Sequence, residues 1–375
     1  MVDQLRIKEE FCKLVSIDSI SFHERNMANQ LREYLLQLGF KVEEDRACDY
    51  YGSECGNLYA YLEGDIPGDP ILLSSHMDTV TPGLNKTAVV HEDGTITSDG
   101  TTVLGADDIS GIVSILEAIR TIKELGLSHR SIEVLFTIAE EVYIRGSEVF
   151  DYSVIKAKEA YVLDLDGLVG TAALKAPTVV SFTATIIGKA SHAGFAPELG
   201  INAIAIAAQG ITQIKQGRID EETTVNIGLI EGGKARNIVS DNCVLRGEVR
   251  SLNHDKALSE VDNIKNIIRD IVEYHQAVDT FETDFGCIAY QVNQEDPVVQ
   301  RFEQACRELG YDTNYVNTFG GSDNNNFHRH GISGLVISCG MNQVHSCKED
   351  THIDELVKCS NIVLKILTDK GNYTA

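Results

Sequence analysis

Acidic and histidine side chains recur along this chain just after short apolar runs, where a buried strand gives way to a loop. Ligands in open α/β sheets bind at such carboxyl ends of strands. His76-Met77-Asp78 follows Ile71-Leu72-Leu73-Ser74-Ser75. The imidazole offers a lone pair, and a carboxylate two residues on suits acceptance of the other ring N–H. Gly105-Ala106-Asp107-Asp108 stands at the mouth of a helical pattern, and two acids in a row are more than one helix cap requires. Glu140-Glu141 comes directly after a strand ending at Ala139. Neighbours in extended chain point to opposite sides, so one Glu can ligate a cation while the other faces a bound water. Asp164 and Asp166 follow the short strand Tyr161-Val162-Leu163, and His345 follows a late strand that starts at Leu335. Each feature alone is ordinary in a folded protein. Together, the two His and at least three carboxylates match the donor set of a dinuclear site for hard-to-borderline cations. The charge of two divalent ions would also be balanced by three carboxylates and a hydroxide.

Positioning these groups requires strands that alternate with helices. Ser21-Phe22-His23-Glu24 reads as a capping box, opening a helix in which Met27, Leu31, Leu35 and Leu38 recur before Gly39. Ile71-Leu72-Leu73-Ser74 is the near-continuous apolar run of a strand buried on both faces. Ile112, Ile115, Leu116 and Ile119 form a second helical stripe, and residues 132–138 another strand. This alternation predicts an α/β layer fold. From about Ala173 the texture changes: residues 179–189 are β-rich, 201–214 form an apolar helix, 244–250 alternate as a half-exposed strand, and 258–272 form an amphipathic helix. A block of roughly 110 residues can form its own core. After about Tyr290 the first texture returns, with Leu335-Val336-Ile337-Ser338 as a late strand. The pattern predicts an α/β domain interrupted by an inserted one, with no internal repeat.

Composition narrows the function classes. The 375 residues are 43% hydrophobic and 23% charged with only 6 Pro, which excludes disordered and collagen-like chains. Lys and Arg total 32 against 56 Asp and Glu, a net charge of -24 that repels phosphate backbones and anionic lipid. No nucleic-acid or membrane partner is expected. Nine scattered cysteines without a CxxC pair fit free thiols in a reducing compartment. The start MVDQLRIKEEF lacks an apolar signal core, so the expected location is cytoplasmic. Gly228 to Lys234 fits GxxxxGK, but position 235 is Ala, which removes the hydroxyl that would hold Mg²⁺, and Glu231 would sit beside phosphate. The chain contains no GxSxG or HExxH, and Asp164-Leu165-Asp166-Gly167 is too short for a calcium loop.

The strings SSHMDTVTPG, LGADDISG, AEE, SHAG, GEVRSLN and GGSDNNNF, with the late His345, resemble in order and separation the dinuclear zinc exopeptidases. That family includes peptidase T, related carboxypeptidases, and aminoacylase-type deacylases, and the nearest resemblance is to the peptidase T group. It implies a three-layer α/β/α catalytic domain over residues 1–174 and 288–375. A ferredoxin-like α+β lid and dimerisation domain is implied over 175–287. Residue by residue, it implies that His76 and Asp164 bind one metal, with Asp166 close enough to compete with Asp164. Asp107 bridges, Glu141 and His345 bind the second metal, Asp78 orients His76, and Glu140 is the general base. From the lid, His192 helps stabilise the oxyanion, Arg250 holds a substrate carboxylate, and Asn237 is a substrate contact.

The implied cofactors are two divalent ions, zinc first and cobalt or manganese as alternatives. The implied reaction is hydrolysis of the N-terminal residue of di- or tripeptides by a metal-bridging water, in a homodimer. Carboxypeptidase or N-acyl-amino-acid deacylase activity on the same core is the alternative, and a non-catalytic metal- or peptide-binding homologue is a third possibility. Two departures stand out. Ile109 follows the Asp pair where peptidase T usually has Lys, and Asn324-Asn325-Asn326 is an unusual run where specificity is expected to differ.

Overall fold

The computed structural model describes residues 2–371 and 373, which form two compact units. The first takes residues up to Lys175, Gln291–Thr318 and the chain from Ser322 onward; the second takes Ala176–Tyr290 and Phe319–Gly321.

The first unit is built on a mixed sheet. Its order runs Lys41–Glu44, Leu58–Leu62, Arg130–Thr137, Ile66–His76, Glu159–Leu165, Ser333–Ser338, Thr171–Ala176. The four strands Arg130–Thr137, Ile66–His76, Glu159–Leu165 and Ser333–Ser338 run parallel, so their carboxyl ends share one edge. Their apolar content explains the placement: every residue of Arg130–Thr137 is buried, as expected of a parallel strand covered on both faces. Helix Ala106–Leu125 packs on strands Ile66–His76 and Glu159–Leu165, with helices Gln4–Val15 and Ile353–Thr368 against it. Helices Pro297–Leu309 and Asp323–Arg329 pack on Glu159–Leu165 and Ser333–Ser338. A smaller sheet pairs Met341–Asn342 with Asp350–His352 and the latter with Thr95–Thr97; the loop between its first two strands carries His345 and Glu349.

The second unit is an antiparallel sheet with helices Ala203–Gln213 and His254–Tyr274 packed on it. Its long strands run Thr223–Gly232, Asn242–Ser251, Thr178–Ile187, Val278–Cys287 in space. Read with the helices, this is the β-α-β-β-α-β ferredoxin-like arrangement. Val180, Phe182, Ala184, Ile206, Ile264 and Ile268 lie in one buried cluster. Strands Thr223–Gly232 and Val278–Cys287 did not register as apolar alternation, because most of their residues are exposed. The GxxxxGK string lies partly in strand Thr223–Gly232, which turns into a neighbouring strand rather than a helix, and the Lys234 ammonium pairs with Asp241. A phosphate loop is thereby excluded on geometry as well.

The expected capping box is not formed. Helix Arg25–Gln37 starts after Glu24 without a side-chain cap, and Ser21 donates its hydroxyl to Asp78 instead. Phe22, between the two, has a left-handed φ of 73°.

Glycine matters at one contact that fixes the site. Gly111 lies where helix Ala106–Leu125 crosses strand Glu159–Leu165, and a Cβ there would meet Leu163 O at 2.5 Å and Asp108 Oδ1 at 2.6 Å. Overpacking of this kind typically costs about 1–3 kcal/mol. Gly111→Ala should therefore lower the stability measured by urea unfolding by that amount, and an unchanged midpoint would show that the helix does not need this close approach.

Candidate metal centre

The parallel strands deliver the acidic and His residues to one place. His76 is the last residue of strand Ile66–His76, paired with Thr137 on the neighbouring strand, which leads three residues later to Glu140. Asp164 is the penultimate residue of strand Glu159–Leu165. Asp107 lies in the first turn of helix Ala106–Leu125 with non-helical φ −81°, ψ 99°, and its peptide bond to Asp108 is cis. His345 arrives on its loop with φ 60°.

Asp107 stands between two imidazoles. Its Oδ1 is 2.9 Å from His76 Nε2 and its Oδ2 is 3.3 Å from His345 Nε2. His345 Nε2 is also 2.8 Å from Glu141 Oε2, and His76 Nε2 is 3.8 Å from Asp164 Oδ1. Ligand atoms of His76, Asp107 and Glu141 all lie within 4.8 Å of one another, as do those of His76, Glu140 and Asp164. Asp164 joins the cluster while Asp166 is exposed.

Neighbouring acids hold the backbone of these ligands. Asp78 was expected to orient His76 through its carboxylate. The closer partner of His76 Nδ1 is the Asp78 main-chain carbonyl at 2.9 Å, with the carboxylate at 3.5 Å. The Asp78 carboxylate also accepts the N–H groups of Glu140 at 2.9 Å and Glu141 at 3.2 Å, and the Ser21 hydroxyl at 2.7 Å. Two adjacent amides reach it because the chain turns after its strand rather than staying extended. Asp108 turns inward to Ser75 Oγ and the His76 N–H. Glu349, absent from the sequence reading, accepts the N–H groups of Gly105 at 2.7 Å and Asp107 at 2.9 Å. Its only sequence signal is an acid four residues after His345.

The electrostatics of the cluster suit a cation. Burial, then repulsion from Asp107, pushes the Asp164 carboxyl well above its usual range; burial, then Asp164, does the same to Glu140. Burial followed by Asp107 also raises Glu141. Burial opposes the charge on Asp107 too, but hydrogen bonds with His345 and His76 hold its carboxyl below the usual range. Hydrogen bonds to Asp107 and Glu141 push the His345 imidazole up to about 10. Glu141 Oε1 is buried without a hydrogen-bond partner, which is costly for a carboxylate. A hard or borderline cation satisfies an orphaned oxygen and the crowded charges at once, so the donor set fits divalent metal.

The remaining predicted residues lie in the second unit. His192 is exposed, and its Nδ1 accepts the N–H groups of Gly194 and Phe195 at 3.1 and 3.2 Å, which puts the ring proton on Nε2. The Asn237 carbonyl accepts the Ala193 N–H at 3.0 Å, so these two residues share one loop pair. Arg250 gives Nε and Nη2 to the Glu248 carboxylate and Nη1 to the Phe319 carbonyl. In the first unit, Ile109 is buried. The Asn324-Asn325-Asn326 run is buried as well. Asn324 donates to Gly334 O, Asn325 accepts the Ser322 N–H, and Asn326 donates to Ser147 Oγ. These residues hold helix Asp323–Arg329 in place.

Chelator-treated protein should take up two divalent ions per chain by elemental analysis. Their binding should raise the melting temperature in proportion to the logarithm of metal concentration. Uptake should weaken as pH falls, because the ligands must lose protons. Asp107→Asn should lower occupancy of both sites and His345→Ala of one; unchanged stoichiometry in both variants would contradict the assignment.

Known proteins of similar sequence and fold include peptidases. Residues 176–277 match the peptidase dimerisation domain, and residues 57–199 match peptidase family M28. The chain is 38% identical over 369 residues to the Bacillus subtilis protein YqjE, covering 98% of this chain and 99% of that one. A tripeptidase from Staphylococcus aureus superposes with a TM-score of 0.95 at 33% identity, over 98% of each chain. The aminopeptidase PepT from Bacillus cereus superposes with a TM-score of 0.90 at 37% identity, again over 98% of each chain. The chain therefore belongs to the dinuclear metallopeptidase family, in its peptidase T group.

Proposed function

We propose that this protein is an aminopeptidase that removes the N-terminal residue of di- or tripeptides, using two divalent ions and Glu140 as general base. The observation that carries the reading is the placement of Asp107 between His76 and His345, with Glu141, Asp164 and Glu140 around it, in a chain similar throughout to a tripeptidase and to PepT. His76 and Asp164 would hold one ion and His345 and Glu141 the other, with Asp107 shared. Zinc suits this mixture of imidazole and carboxylate, and cobalt or manganese would substitute. When bound, such ions polarise the scissile carbonyl and lower the pKa of water towards ~7.

The chain's own residues move the protons. Glu140 takes a proton from water and delivers it to the leaving amine nitrogen, a role worth typically about 10²–10⁴ in rate. His192 Nε2–H would donate to the oxygen on which negative charge develops. Asn237 would contact substrate, and the surrounding acidic charge would attract a free α-amine.

Carboxypeptidase or N-acyl-amino-acid deacylase chemistry is the second reading, and Arg250 is the observation in its favour, since its guanidinium can clamp a carboxylate. Glu248 already occupies two of its donors, which favours the amine-recognising reading. The match to a peptidase dimerisation domain, with Leu229 and Ile230 exposed on strand Thr223–Gly232, supports a homodimer formed through the second unit as lid and dimerisation domain. Among the described residues no helix is long and apolar enough to cross a membrane, and nine free cysteines suit a cytoplasmic setting.

Metal-loaded protein should hydrolyse a free tripeptide and leave its N-blocked form intact; the reverse preference would establish the second reading. Glu140→Gln should keep both ions and lose at least about 10² in kcat. Wild type with two ions and no turnover on either substrate would identify a binding protein.

A further inference from the structure

The Ser21–Glu24 string, which does not cap its helix, is tied to the loop that carries the general base. Ser21 Oγ donates to Asp78 Oδ2 at 2.7 Å, and the same carboxylate accepts the Glu140 and Glu141 amides. Glu24 is fully buried, and its Oε1 accepts the Ala139 N–H at 3.0 Å and the Phe22 N–H at 2.8 Å. Both donors are non-glycine residues in the left-handed region, with φ 50° at Ala139 and 73° at Phe22. That conformation is uncommon for a residue with a Cβ and persists where surrounding contacts fix it. Glu24 Oε2 is in turn held by Ser53 Oγ at 3.2 Å. The segment is itself anchored to the strand end: Thr79 N–H donates to Ser19 O at 3.0 Å, and Ile20 bridges to Thr79. Three consecutive amides, those of Ala139, Glu140 and Glu141, therefore end on two carboxylates, Glu24 and Asp78, and Ser21 holds the second.

We infer that Ser21 and Glu24 are positioning residues that brace the 139–141 backbone and so fix where the Glu140 carboxylate stands. Neither acts on substrate; both act through Glu140, so the inference rests on the reading of Glu140 as general base. Proton transfer depends steeply on such placement, since a misplacement of about 1 Å can cost about 10²-fold in rate.

The test compares Ser21→Ala, Ser21→Thr and Glu24→Gln with wild type by hydrogen–deuterium exchange, metal content, and kcat and KM on a tripeptide. Ser21→Ala should speed exchange in the peptide spanning 139–141 and lower kcat about tenfold, with KM within about twofold and both ions retained. Ser21→Thr, which keeps the hydroxyl, should restore both readouts. Glu24→Gln should loosen the same segment. Unchanged exchange and kcat in Ser21→Ala would overturn the inference. So would a kcat loss that tracks loss of metal, or one that Ser21→Thr fails to rescue. Wild type that hydrolyses no peptide would overturn the proposed function instead, while the exchange measurement would still decide the brace.

Discussion

Negative charge buried around Asp107 is the constraint on which the first unit turns. His76 and His345 bind opposite oxygens of that one carboxylate, and Glu141, Asp164 and Glu140 crowd the same space. Burial drives several of these groups towards their protonated forms, and one Glu141 oxygen is left without a partner. Uncompensated buried charge is among the costlier features a fold can carry. Divalent cations held by these donors would remove that cost and, on the proposed function, make the same donors a reactive centre. The extra stability and the chemistry then have one origin.

A second group of acids does a different task. Asp78, Asp108, Glu349 and Glu24 accept main-chain amides of the segments that bear the ligands rather than pointing into the cluster. Buried hydrogen bonds to main-chain amides are directional and costly to break, so they fix loops that lie beyond the sheet ladder. The parallel strands set the coarse positions of His76, Glu140 and Asp164. These buried carboxylates set the fine ones, including the left-handed turn at Ala139 that aims Glu140.

Much of the site was readable in the sequence because its residues follow buried apolar strands, whose periodicity is a strong signal. His76, His345 and the acid pairs at 107–108, 140–141 and 164/166 stand out after apolar runs or at a helix mouth; the family resemblance picks Asp107, Glu141 and Asp164 from those pairs, and the fold brings the five side chains together. Local pattern misled where a tertiary contact outcompetes it. Ser21 and Glu24 have the spacing of a capping box, yet both are drawn to the Asp78 and Ala139 loops by groups far away in sequence. The Asp78 carboxylate, beside His76 Nδ1 at 3.5 Å, also holds two amides that become adjacent only after the chain turns, a contact no local spacing announces. Glu349 was invisible because accepting amides leaves no motif. Two strands of the second unit were missed because their exposed side chains break the alternation that identifies a half-buried strand.

The most direct measurement is anomalous diffraction from crystals grown with zinc, recorded at the zinc absorption edge. Two peaks in each chain are expected, one against His76 and Asp164 and one against Glu141 and His345, with Asp107 touching both. A single peak, or none within reach of Asp107, would contradict a shared dinuclear centre and the hydrolytic role built on it.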